Sequence, residues 1–166
     1  MNDGLAQPTI MVVDDTKANL KLLDDMLRAR GYRVRAFPSG ELALTAAAKH
    51  PPDLILLDIT MPVMNGFEVC KRLKADGQLK EIPVIFISAL NDTTDKVRAF
   101  EAGGVDYVTK PFQFAEVQAR VETHLGMRKL QIELERHNKY LNELVQEKVQ
   151  EISDSQMATI FALATL

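Results

Sequence analysis

Short stretches of branched apolar residues recur along the first two-thirds of the chain, and each is followed by a segment with helical spacing. That alternation leaves few folds open. TIMVV (Thr9–Val13), DLILL (Asp53–Leu57) and PVIFIS (Pro83–Ser88) are predicted as buried strands, with VDYVT (Val105–Thr109) a weaker fourth. YRVRAF (Tyr32–Phe37) alternates polar and apolar residues, the pattern of an edge strand. Between them, Leu20, Leu23 and Leu27 form one helical stripe ending at Gly31, and Leu42, Ala43, Ala46 and Ala47 form a second. Phe67, Cys70 and Leu73 make a third, and Val97, Phe100 and Glu101 a shorter fourth. Pro38-Ser39-Gly40, Pro51-Pro52, Asp76-Gly77 and Gly103-Gly104 punctuate the joins. Repeated strand–helix alternation implies an α/β fold, a parallel sheet with helices on both faces. Continuous apolar strands are what a sheet covered on both sides requires.

From Phe112 to about Ser155 there is no proline and a single glycine, Gly126. A helix of that length runs about 65 Å, too long to pack wholly against so small a domain. Leu130, Leu134, His137, Leu141 and Leu144 are spaced four and three apart in turn, the seam of a coiled coil. Val145, Val149, Ile152, Gln156, Thr159 and Leu163 form a second seam, and the step from Leu141 to Val145 is a four-residue stutter. Charged residues surround this stripe, so a parallel homodimer is expected, with His137 a polar interruption able to tune register or pH sensitivity. The final MATIFALATL is uncharged and has no helix stop signal. The expected organisation is a domain over 1–124, a coiled-coil helix over 125–156, and the start of a truncated further domain over 157–166.

Charge and cysteine content narrow the partners. The 166 residues carry 20 basic and 23 acidic side chains, a net charge of −3. Neither the part through Thr123 nor the remainder hides a basic module, so no field favours nucleic acid or an anionic membrane. The lone Cys70 cannot form an intrachain disulfide, which suits a reducing compartment. MNDGLAQPTI has no leader pattern, and no apolar run reaches the length needed to span a bilayer. A cytoplasmic protein without membrane insertion is expected.

The polar residues abutting the apolar strands are ordered. Asp14 and Asp15 follow the first strand, Asp58 the third, Ser88 ends the fourth, and Lys110 follows the fifth. All lie at carboxyl ends, where open α/β sheets bind ligands. Clustered carboxylates raise one another's pKa, and a divalent cation together with Lys110 would balance three of them. Oxygen ligands suit Mg²⁺, and no His/Cys cluster competes. A carboxylate in such a setting can attack phosphorus as a nucleophile, with Ser88 donating a hydrogen bond to the product.

These motifs, VVDD (Val12–Asp15), LLDITMPVMNG (Leu56–Gly66), ISA (Ile87–Ala89) and DYVTKPF (Asp106–Phe112), resemble the receiver domain of two-component response regulators. The resemblance covers roughly Thr9 to Thr123 and implies a flavodoxin-like (βα)5 fold with strand order 2-1-3-4-5, carrying here a long C-terminal helix. It implies that Asp58 accepts a phosphoryl group from a histidine kinase or phosphotransfer protein. Asp14 and Asp15 would bind Mg²⁺ together with Asp58 and the Thr60 main-chain carbonyl. Lys110 would be the phosphate-binding lysine, Ser88 the switch hydroxyl and Tyr107 the switch aromatic. The chain would thus be a phosphoacceptor and not itself an enzyme, relaying its switch through the fifth helix. EISDSQMATIFALATL (Glu151–Leu166) looks like the helix leading into an HD-GYP cyclic-di-GMP phosphodiesterase domain, none of whose metal ligands lie in this chain.

Rival readings fare worse. A haloacid-dehalogenase-type phosphatase needs Asp-x-Asp after a strand, but here the acidic pair is adjacent and Thr60 stands two residues beyond Asp58. A nucleotide or flavin binder wants a glycine-rich first loop, and this one reads DDTKAN. A dimerising scaffold that takes no phosphate would have little reason to keep all five site residues. His50 and His124 read as surface or helix-end residues, Cys70 as structural, and Lys110-Pro111 as a place where a cis peptide is allowed.

Overall fold

A computed structural model describes residues 7–89 and 93–165, the side chain of Thr93 excepted. The opening segment, on which the leader reading rests, and Leu166 lie outside the described residues. The elements are β1 (Thr9–Val13), α1 (Lys17–Arg28), β2 (Arg33–Phe37), α2 (Gly40–Lys49), β3 (Leu54–Asp58), α3 (Gly66–Ala75), β4 (Val84–Ser88), α4 (Thr93–Glu101), β5 (Asp106–Thr109) and α5 (Phe114–Ala164). All four strand pairings are parallel, in the order β2-β1-β3-β4-β5. This is the expected fold and strand order. The alternating YRVRAF segment forms β2 on the edge, as its pattern required. The chain divides into two compact units between Arg128 and Lys129.

In the first unit, period-two alternation sends strand side chains to two separate cores. Met11, Val13, Ile55, Leu57, Val84 and Phe86 pack under α2, α3 and α4 through Ala43, Ala47, Phe67, Cys70, Leu73, Ala99 and Ala102. Ile10, Val12, Leu54, Leu56, Ile85, Ile87 and Val108 meet α1 and α5 through Leu23, Leu27, Val117 and Val121. The fourth helical stripe needs correction. Val97 and Phe100 are 51% and 50% exposed, and the buried residues of this segment are Ala99 and Ala102. Small side chains bring α4 close to the sheet, and the larger apolar residues are left outside.

The join from β3 to α3 fixes the site's floor. Asn65 caps α3 by accepting from the Glu68 N–H at 3.0 Å, and the Gly66 N–H donates to the Ile59 carbonyl at 2.9 Å. A Cβ on Gly66 would overlap the Asp58 carbonyl and the Ile59 Cα, both backbone atoms that cannot step aside. Gly66→Ala is therefore expected to destabilise the domain by about 1–3 kcal/mol. Urea denaturation measures this, and an unchanged midpoint would contradict it.

A second tie joins β5 to α5. Asp106 accepts from Arg120 Nη1 at 2.6 Å, pairs with His124 Nε2 at 3.0 Å, and accepts the Tyr107 N–H at 2.8 Å. His124 is thus no surface residue, with a side chain only 14% exposed. Burial alone would raise the Asp106 pKa, but the hydrogen bonds from Arg120, His124 and the Tyr107 N–H outweigh it and hold the carboxyl below its ordinary 3.8. The folded value lies below the unfolded one, so the stabilisation is complete above pH 3.8 and is lost as pH falls through the folded value. Asp106→Asn should lower the denaturation midpoint at pH 7, and the gap from wild type should shrink below pH 3.8. A gap that is constant with pH would contradict this assignment.

The second unit, from Lys129 onward, is the continuation of α5 to Ala164 and the short end beyond it. Leu130, Leu134, Leu141, Leu144, Val145, Val149, Ile152, Ile160, Phe161 and Leu163 are all exposed. No helix among the described residues is long and apolar enough to cross a membrane.

Candidate functional site

Parallel pairing puts the carboxyl ends of all five strands along one edge, and the predicted site residues converge there. Val13 pairs in register with Leu57, Asp58 with Ile87, and Ser88 with Thr109. Asp14 leaves β1 completely buried, Asp58 ends β3 at 3% exposure, and Ser88 ends β4 at 5%. Asp15 and Thr60 face solvent at the rim. Lys110, just past β5, reaches back across the sheet: its Nζ lies 2.9 Å from Asp14 Oδ2 and 3.1 Å from Asp58 Oδ2.

The two buried carboxylates are held differently. Asp14 Oδ1 accepts the Thr16 N–H at 2.8 Å, and its Oδ2 accepts both Asn19 Nδ2 at 3.0 Å and Lys110. Asp58 has Lys110 and a long 3.4 Å hydrogen bond from the Thr60 N–H. Burial and then the neighbouring Asp14 charge raise the Asp58 pKa, against the opposing pull of Lys110. Burial would lower the Lys110 pKa, but its hydrogen bonds and attraction to Asp14 and Asp58 raise it, keeping the ammonium charged.

Carboxylate oxygens of Asp14, Asp15 and Asp58 lie within 4.8 Å of one another. Three carboxylates against one ammonium leave an excess of two negative charges. An oxygen-only donor set with an exposed side fits a hard divalent cation that retains water ligands.

Tyr107 is half-buried, with Phe100 edge-on at 6.1 Å, and with Lys96 Nζ and Arg120 Cζ over its ring at 4.5 and 5.7 Å. Sequence reasoning missed Asn19, whose bond fixes Asp14. The available signal was its place in the first turn of α1, just after the acidic pair. The Lys110–Pro111 peptide is cis.

Removing the ammonium should leave Asp14 and Asp58 opposed without a counter-charge. In Lys110→Met the Asp58 carboxyl should titrate at higher pH than in the parent chain. Carbon-13 carboxyl NMR reads this directly, and an unchanged or lower titration point would contradict the bridging role.

Comparison with known proteins agrees with this architecture. Over 164 residues the chain is 40% identical to a Vibrio cholerae protein named "Probable cyclic di-GMP phosphodiesterase", covering 99% of this chain and 37% of that one. It is 44% identical to the Caulobacter vibrioides response regulator PleD over 114 residues, covering 69% of this chain and 25% of that protein. The chain thus spans well under half the length of these relatives. Among solved structures it resembles the receiver domain of the Pseudomonas aeruginosa sensor histidine kinase PA1611, which has a magnesium ion coordinated in its active-site cleft. That match has a TM-score of 0.68 at 31% identity and covers 73% of this chain and 99% of the other. The family model of the response regulator receiver domain matches residues 10–122, and the chain belongs to that family.

Proposed function

We propose that Asp58 is the phosphoacceptor of a two-component relay, taking its phosphoryl group from a histidine kinase or phosphotransfer protein. The observation that carries this reading is the Lys110 bridge between Asp14 and Asp58, which sets one cation beside a carboxylate at the carboxyl edge of the sheet. An Asp58 carboxylate oxygen attacks the phosphorus of a phosphohistidine. The new O–P bond forms as the P–N bond breaks, and the electron pair returns to the donor imidazole. Lys110, already 3.1 Å from Asp58, is placed to pair with an oxygen of the transferred group. Ser88, at the end of the adjoining strand, donates a hydrogen bond to it. Asp14, Asp15, Asp58 and the Thr60 main-chain carbonyl would hold Mg²⁺, which when bound offsets negative charge on the phosphoryl oxygens.

Phosphorylation acts by population shift. A phosphoryl group contacting Ser88 and Lys110 favours one arrangement of the β4–β5 end. Tyr107, set between α4 and α5, passes the change to α5. Its continuation beyond Arg128 carries the signal, as a dimeric coiled coil, toward an output domain. The likeness to the Vibrio cholerae protein runs through nearly the whole chain, α5 included, which supports a cyclic-di-GMP phosphodiesterase as that output. In this reading the unit through Arg128 is a phosphoacceptor and not an enzyme, and the protein works in the cytoplasm.

Intact mass after incubation with phosphoramidate tests the reading. One phosphoryl adduct is expected with Mg²⁺, none with EDTA and none in Asp58→Asn. An adduct that persists in Asp58→Asn, or no adduct with Mg²⁺, would overturn it.

A further inference from the structure

We propose that two copies of the chain pair along residues 129–164 as a parallel, in-register coiled coil whose alignment is set by His137 facing its own counterpart. This deepens the reading of that segment as a dimerising helix and rests on it. The occupant of the exposed seam is a second copy because the seam is self-complementary. Leu130, Leu134, His137, Leu141 and Leu144 keep the four-three spacing that interlocks with an identical helix. Leu130 and Leu134 are 66% and 61% exposed in one chain.

His137 is the one polar residue among the five positions of that seam. In a parallel, in-register pair it meets the other imidazole, and one ring N–H donates to the opposite ring nitrogen. Slip by one heptad sets one copy's His137 against Leu144 and the other's against Leu130. Both imidazoles then lose that partner inside an apolar layer, an unfavourable exchange. An antiparallel pair can match His137 with itself only when centred on it. Residues 146–164 would then lie opposite residues 110–128, whose Val117 and Val121 are buried in the first unit's core. Val149 and Ile152 would remain wet in that arrangement.

The flanks agree with the parallel alignment. Residues five apart on opposite copies face each other beside a parallel seam. This sets Glu133 opposite Asn138, Tyr140 opposite Val145 and Lys148 opposite Ser153, with no like charges opposed. Tyr140 and Val145 are 59% and 60% exposed in one chain. Their pairing widens the apolar seam where the stutter shifts it from Leu144 to Val145.

Engineered cysteines test the alignment in the full chain. The native Cys70 is fully enclosed and burial pushes its thiol up to about 11, so background linking is absent. Sedimentation first reports whether the chain is a dimer, and a monomer would overturn the dimer reading itself. In a dimer, Leu130→Cys and Leu144→Cys should each link to their own counterpart under mild oxidation. Linking at only one of the two, or at neither, would overturn the parallel in-register arrangement while leaving the dimer standing. A mixture of Leu134→Cys and Leu141→Cys chains reports one-heptad slip, and no mixed link is expected. Adding His137→Leu should tighten the dimer about tenfold and let the mixed link form. His137→Asn should preserve the single register. A His137→Leu dimer of unchanged affinity and register would overturn the role of His137.

Discussion

The structure's chemistry depends on one cation. Two carboxylates sit within the carboxyl edge of a parallel sheet, with Asp14 completely enclosed and Asp58 nearly so. Burying charge without a partner is costly. Lys110 meets both at hydrogen-bond distance from the far side of β4, which its long stem makes possible. The strand order matters here. With β1 and β3 adjacent and β5 beyond β4, the acidic groups lie side by side and the lysine approaches from one flank. With Asp15 at the rim, three carboxylates face one ammonium, and the two negative charges left over favour a divalent cation.

The carboxylates are chemically unequal because their surroundings differ. Asp14 spends both oxygens on hydrogen bonds from Thr16, Asn19 and Lys110. Its oxygens are engaged and its rotation is fixed, which suits an electrostatic anchor. Asp15 is exposed and suits metal binding from the rim. Asp58 has one long backbone hydrogen bond and a shared lysine, so it is less fully engaged than Asp14. That difference, more than proximity, supports the proposal that Asp58 is the nucleophile.

Much of this was legible in the sequence. The strands announce themselves because a sheet buried on both faces needs unbroken apolar runs, and polar residues placed just past those runs fall on one edge. The long helix after Phe112 was equally plain from the absence of proline through Ser155. Other features depend on contacts that periodicity does not encode. The inward face of α4 was misread because Val97 and Phe100 are larger than Ala99 and Ala102, and close approach to the sheet selects the small residues. His124 read as a surface residue because its partner, Asp106, lies on β5 and is brought near only by folding. Asn19 escaped notice for a different reason. Its bond is local, yet an asparagine in the first turns of a helix has many bland uses.

The central claim is that Asp58, alone among the clustered carboxylates, carries the phosphoryl group. Borohydride reduces an acyl phosphate to an alcohol, converting a phosphorylated aspartate to homoserine. Tandem mass spectrometry of the phosphorylated, borohydride-treated chain should find homoserine at position 58 and retain aspartate at 14 and 15. Homoserine at Asp14 or Asp15, or none at Asp58 in a chain that carries the phosphoryl mass, would contradict the account.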